Sequence, residues 1–164
     1  MKRNRSKPDP APSPADALQR ALRYLGYRPR SEAEIRSYLR RWAYSPVVSD
    51  QVIEKLRSLN YINDESFARN WALSKARNRG YGPRRIEQEL RTKGIVQSVI
   101  REVIRETLGQ YDEMSQARRL LTKRFRGENF RDGRTQRRAA AFLQRRGYSN
   151  RVISDLLRIS IEEE

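Results

Sequence analysis

The side chains best equipped for chemistry in this chain are its arginines and lysines. They number 36 against 20 Asp and Glu, a formal charge of +16 over 164 residues. The chemistry they offer is recognition of anions. A guanidinium presents a planar fork of N–H donors that grips a phosphate or carboxylate in two places, while a lysine ammonium acts as a compact point charge. Their placement is uneven. From Arg69 to Lys93 eight basic residues stand against Glu87 and Glu89, and from Arg118 to Arg151 twelve stand against Glu128 and Asp132. Arg84, Gln88 and Arg91 fall at i, i+4 and i+7, on the helix face opposite Ile86 and Leu90. The candidate anion-binding set is therefore Arg77, Arg79, Arg84, Arg85, Arg91 and Lys93 in the first segment. In the second it is Arg118, Arg119, Lys123, Arg124, Arg137, Arg138, Arg145, Arg146 and Arg151.

Other chemistries are short of reagents. The chain has no His and no Cys, which removes imidazole general bases, thiol nucleophiles, disulfides and the usual zinc sites. No phosphate loop of P-loop spacing and no nucleophile motif is present. A non-enzymatic protein is expected, with no cofactor and no metal. No apolar run is long enough to span a bilayer and the N-terminus lacks a signal-peptide core, so a cytoplasmic protein away from membranes is expected.

The elements that must carry these cations are helical. Only 37% of residues are hydrophobic and 34% are charged, a composition that allows a thin core spread along the chain. Residues 1–15 hold Pro8, Pro10, Pro12 and Pro14 with Lys2, Arg3, Arg5 and Lys7, and read as a disordered basic arm. From Asp16 on, apolar residues recur at spacings of three and four. Ala17, Leu18, Ala21, Leu22 and Leu25 form the first stripe. Ser31 and Glu34 form a capping box for a second helix with Ile35, Tyr38, Leu39 and Trp42, and Ser45-Pro46 opens a third that buries Val48, Val52, Ile53, Leu56 and Leu59. Asn63 or Asp64 caps the next helix, broken by Gly80-Tyr81-Gly82 before Pro83 starts another. About nine helices are expected, with the apolar stripes, Trp42 and Trp71 included, facing a core.

These helices repeat. Leu39, Leu90 and Leu143 are separated by 51 and 53 residues, and Tyr44, Ile95 and Tyr148 follow them at five. Gly94 and Gly147 stand just before the latter two, where a helix end favours positive φ. Ala43 occupies that place in the first copy, which predicts a different turn. The triad Val99, Ile100 and Val103 matches Val152, Ile153 and Leu156, whereas Val52, Ile53 and Leu56 arrive four residues late, consistent with an insertion around Ser45 to Val48. The expected fold is all-α, three tandem three-helix units in an elongated, solenoid-like arrangement. The units span 16–62, 63–110 and 111–159, with an acidic tail over 160–164.

From about Ala17 to Ile159 the chain resembles the RecX family. The resemblance rests on Asn63-Asp64 with Phe67-Ala68, on Gly80-Tyr81-Gly82-Pro83, Ile86, Glu89-Leu90 and Lys93-Gly94-Ile95, and on two flanking stretches. These are Arg30-Ser31 with Glu34-Ile35 and Leu39, and Arg145-Arg146-Gly147-Tyr148. It implies a curved protein lying in the groove of a RecA filament on single-stranded DNA. There it would restrain ATP turnover, strand exchange and filament growth in DNA repair, recombination and the SOS response. The implied partners are RecA and nucleic-acid phosphate, met by a monomer. The competing reading from residues alone is a tandem helix-turn-helix regulator that binds DNA directly, without RecA. Against it, no unit combines Asn or Gln with Arg at base-reading positions of a clear recognition helix.

Overall fold

The computed structural model describes residues 13–109 and 112–162. The expected basic arm lies outside the described residues except for its last three. Those three start a helix: Ser13 Oγ accepts the Asp16 N–H and Pro14 takes the first helical turn, so α1 spans Pro14–Tyr27. Then follow α2 (Glu32–Arg41), α3 (Pro46–Ser58), α4 (Asp64–Arg79), α5 (Pro83–Thr92) and α6 (Gln97–Val103). A π-helical turn, Ile104–Leu108, extends α6. The chain ends with α7 (Glu113–Arg124), α8 (Gly133–Arg146) and α9 (Asn150–Glu162), which runs into the stretch expected as an acidic tail. No strand occurs among the described residues. The fold is an all-α repeat.

Each set of three helices closes its own core. Ala17, Ala21, Ile35, Leu39, Val52, Ile53 and Leu56 fill the first. Phe67, Ala68, Ala72, Ile86, Leu90, Ile100 and Val103 fill the second, and Ala117, Leu121, Ala139, Leu143, Ile153 and Leu156 the third. The aligned leucines, Leu39, Leu90 and Leu143, are completely buried, and truncating such a residue to Ala typically costs about 2–5 kcal/mol. The described residues up to Asp64 form one compact unit, and those from Glu65 onward form a second.

Two expectations about the repeat are corrected. Ala43 does not change its turn: it adopts φ +60, beside +76 at Gly94 and +87 at Gly147. The hydrogen bonds are the same in all three copies. Ala43 N–H donates to Arg40 O and Tyr44 N–H to Leu39 O, as Gly94 and Ile95 do to Arg91 and Leu90, and Gly147 and Tyr148 to Gln144 and Leu143. This paired closure of a helix end is the Schellman pattern, here built on a residue whose Cβ disfavours it. Nor is there an insertion. The third helix of each repeat starts seven residues after the aligned leucine, at Pro46, Gln97 and Asn150. Ser49, 5% exposed, fills the position taken by Ile100 and Ile153. Four residues are close to one helical turn, so the late triad lies on the same face as the early one and mimics a shift in register.

Two core expectations also fail. Trp42 and Leu59 are each 48% exposed, because each occupies the C-cap position of a short helix, at the end of α2 and α3, where the stripe runs past the core. Asp64, expected as one of two caps for α4, instead accepts the N–H of Glu32 in the first turn of α2, at 2.9 Å. Burial is the main cause raising its carboxyl above the usual range.

The shared turn makes a prediction. Ala43→Gly relieves the left-handed strain and stabilises the fold by about 1 kcal/mol, roughly 2–4 °C in melting temperature for a chain of this size. Thermal and guanidinium unfolding followed by circular dichroism measures it.

Candidate anion-binding interface

The cations of the second and third repeats are organised by a joint built from backbone. Helix α5 begins at Gly82 without a side-chain cap, so its first N–H groups need other acceptors. They find them at the end of α8. Gly82 N–H donates to Arg146 O at 2.7 Å and Arg84 N–H to Gly147 O at 3.1 Å, so the positive end of one helix dipole meets the negative end of another. Arg85 Nη1 adds a bond to Arg145 O at 2.8 Å. Exchange also runs the other way: the Arg146 guanidinium donates to Arg79 O, and Tyr148 Oη to Gly80 O at 3.4 Å. The approach is too close for a side chain. A Cβ on Gly147 would lie 2.3 Å from Arg85 N, and one on Gly82 would lie 2.6 Å from Gly147 O.

Around this joint three recesses run into one another. The first, of about 660 Å³, is lined by residues of α4, α5, α8 and the start of α9 and by the turns after α5 and α8, among them Trp71, Lys75, Arg84, Gln88, Lys93 and Asn150. It shares Arg85 and Arg145 with a second, of about 360 Å³, which shares Arg79, Phe142 and Arg146 with a third, of about 780 Å³. The third adds Arg77, Arg119, Lys123 and Arg124. The band so formed carries eleven Lys and Arg and one carboxylate, Glu89. That carboxylate is engaged: Oε2 accepts Trp71 Nε1–H at 3.0 Å, and Oε1 lies 3.8 Å from Arg85 Nε. Clustered positive charge along a concave surface focuses the field toward an anion and raises its local concentration.

Ten of the fifteen sequence-derived residues line this band, and five do not. Arg91 pairs with Glu87 at 2.8 Å, so the face drawn through Arg84, Gln88 and Arg91 is split between groove and surface. Arg138 pairs with Glu128 at 2.7 Å and Arg151 lies 3.9 Å from Asp155. Arg137 lies by Asp132, whose carboxyl is held below its usual range chiefly by the N–H groups of Arg134 and Thr135. Arg118 is exposed on α7, outside the recesses. Inside the band the roles differ. Arg85 and Arg146 hold the joint and pack on Tyr81, with guanidinium carbons 4.3 and 5.7 Å from its ring centre. Arg79, Arg119, Lys123 and Arg145 have no carboxylate partner among the described residues, and their charge is available to a ligand.

Sequence reasoning missed Lys75, and it placed Trp71 against the core, where it packs, without its second role in the groove wall. Trp71 is half-buried beside Phe67 and forms part of the groove wall, with the ammonium groups of Lys75 and Lys93 at 4.3 and 4.8 Å from its ring. Lys75 lies four residues after Trp71, a spacing that predicts contact on a helix.

Comparison with known proteins identifies the fold. Family models described as the first, second and third three-helix domains of RecX match residues 17–56, 63–104 and 111–157. This chain belongs to the RecX family. A regulatory protein RecX of Trichlorobacter lovleyi is 33% identical over 145 residues, covering 87% of this chain and 94% of that protein. Its counterpart in Mycolicibacterium smegmatis is 31% identical, covering 95% and 85%. The chain spans only half the length of the Listeria welshimeri relative, at 31% identity. A crystal structure of a regulatory protein RecX superposes with a TM-score of 0.75 at 27% identity, over 92% of this chain and 73% of that one. RecX from Lactobacillus salivarius gives the same TM-score at 23% identity, a likeness of fold.

The RecX motifs acquire a physical meaning at the joint. Gly80-Tyr81-Gly82-Pro83 and Arg145-Arg146-Gly147-Tyr148 are the two sides of one contact, and Gly147 is needed twice, for φ +87 and for the approach of Arg85. Gly147→Ala is therefore expected to cost about 3 kcal/mol or more, well above the cost of positive φ alone, and to loosen the joint. Hydrogen exchange at Gly82 and Arg84 should rise before global unfolding.

Tyr148 supplies a pH signature. Burial, aided by the nearby Glu113 charge, pushes its hydroxyl from 10.0 up to about 12. The unfolded chain releases this proton first, so the stabilisation is complete below pH 10 and is lost as pH rises from about 10 to 12. Ultraviolet titration should show a late tyrosine step that Tyr148→Phe removes.

Proposed function

We propose that this RecX-family chain binds RecA filaments assembled on single-stranded DNA and inhibits their ATP hydrolysis, strand exchange and growth. It would do so in the cytoplasm, without cofactor or catalysis of its own. The observation that carries this reading is the band of eleven cations and a single engaged carboxylate lining the joint between the second and third domains. Family membership supports RecA as the partner. The regulatory name borne by its relatives fits a protein that acts by occupancy.

The chemistry is cumulative. A filament presents the same acidic surfaces and phosphates at regular intervals, and a pre-organised row of guanidinium and ammonium groups meets them without first becoming ordered. Arg79, Arg119, Lys123 and Arg145 are the free members of that row and supply most of the contact. Arg85 and Arg146 hold the joint that carries it. Part of the binding comes from counterion release, so inhibition weakens steeply with salt.

The test is single-stranded-DNA-dependent ATP hydrolysis by RecA with this protein below stoichiometry. Inhibition is expected, and Arg79→Glu combined with Lys123→Glu should lower its potency about tenfold or more through lost and reversed charge. Arg91→Ala and Arg151→Ala, outside the band, should change it less than about twofold, as expected of exposed ion pairs. Unchanged hydrolysis at large excess, together with sequence-specific binding to duplex DNA, would establish the direct-regulator alternative instead.

A further inference from the structure

The first domain carries an arrangement that the joint does not use. Trp42 closes α2 with 48% of its surface exposed. The Arg20 guanidinium carbon sits 4.0 Å from its ring centre, and the Arg20 Nε–H donates to Tyr44 Oη at 3.1 Å, which fixes the plane of the guanidinium. On its other neighbour side Tyr38 meets Trp42 steeply, at 67° and 6.5 Å, and Tyr38 in turn lies parallel to Tyr24 at 4.0 Å. Arg30 covers Tyr24 at 3.9 Å. The result is a row of flat groups from Arg30 through Tyr24, Tyr38 and Trp42 to Arg20, in which the indole remains about half exposed.

The charges around that indole are uncompensated. Most carboxylates of this domain are paired with other cations, Glu34 with Arg28 and Arg30, Asp50 with Arg36, Glu32 and Glu54 with Arg57. Asp16, one turn before Arg20 on α1, accepts the Ser13 hydroxyl at 2.7 Å and forms no ion pair among the described residues. Arg20, Arg23, Arg40 and Arg41 have no carboxylate partner among the described residues. Arg20, Arg23 and Tyr24 share one face of α1, and Tyr38, Arg41 and Trp42 share one face of α2, by their spacings of three and four. Positive charge without an ion-pair partner, together with a supported exposed ring, matches a ligand that is both anionic and flat. A carboxylate peptide uses the arginines but not the ring. A duplex keeps its bases stacked on one another. An unpaired base with its phosphates uses both features.

We propose that the first domain contains a separate single-stranded nucleic-acid contact, in which an unpaired base stacks on Trp42 beside Arg20 while the neighbouring arginines hold the flanking phosphates. This contact is independent of the basic band and of any filament partner. It gives the chain a hold on exposed single strand through base stacking, which tolerates any sequence because every base has a π face.

The experiment uses the full chain without RecA. Binding is followed by fluorescence anisotropy with an oligothymidylate of about 15 nucleotides, within the range one such site spans, and with an abasic strand of equal phosphate number. Trp42 emission is read as the difference between the native chain and Trp42→Phe. Expected are quenching of that difference by oligothymidylate, and an affinity loss of about tenfold for Trp42→Ala on oligothymidylate against less than about twofold on the abasic strand. Trp42→Phe should recover most of the loss, and it carries the test should Trp42→Ala lose helical circular dichroism. Equal affinity for the two strands, with no change in Trp42→Ala, overturns the proposal. Trp42 emission that responds only when RecA filaments are added overturns it in favour of a protein contact, leaving the filament reading intact. Failure of the ATP-hydrolysis test with retained Trp42 quenching would separate the two readings in the other direction.

Discussion

The second and third domains depend on an exchange of backbone hydrogen bonds between the end of α8 and the start of α5. A helix begins with N–H groups that have no partner in their own helix and ends with carbonyls in the same condition. Elsewhere in this chain serine and aspartate side chains meet the first need, at Ser13, Ser31, Ser45, Asp112 and Asp132. At α5 there is only Gly82, and the carbonyls of Arg146 and Gly147 take the role. One contact thus satisfies two helix ends, and it does so only because glycines at both positions let the backbones meet.

The joint also explains why so much positive charge tolerates being close together. Arg85 and Arg146 spend their donors on the carbonyls of Arg145 and Arg79 and lay their planes against Tyr81 and Phe142. Guanidinium groups are weakly hydrated and accept such packing where an ammonium would not. The remaining cations line a surface already shaped by these two, so an anionic ligand would meet an ordered array. A phosphate or carboxylate bound there would relieve self-repulsion within the array.

The first domain uses its charge differently. Its acidic residues neutralise Arg28, Arg30, Arg36 and Arg57 in local pairs, and exposed pairs of this kind contribute little stability each. They leave Arg20, which lies on Trp42, outside any ion pair among the described residues. The same repeat therefore presents two kinds of surface: a basic groove lined mainly by charge, and an aromatic row edged by arginine.

Much of this was legible in the chain itself. Helix starts followed from Ser31 with Glu34 and from Ser45 with Pro46, because capping is a local matter of which side chain reaches which N–H. The repeat followed from Leu39, Leu90 and Leu143, because each domain buries its own stripe. Ten of the band's eleven cations were named from the charge surplus. What failed was whatever depends on the phase or the end of a helix: Val52 looked displaced because one turn returns to the same face, and Trp42 looked buried because its spacing continues a stripe beyond the core. Ala43 looked unlike glycine, yet the hydrogen bonds around Leu39 impose the same turn on it. The sequence by itself determined the helices, the three cores and the sign of the surface charge, since the first two arise from contacts close along the chain and the third from composition. Only the tertiary structure decided that Gly82 meets Gly147, that Lys75 joins the groove while Arg91 leaves it, and that Arg20 lies on Trp42. Those pairings join residues far apart in sequence, and no local propensity encodes them.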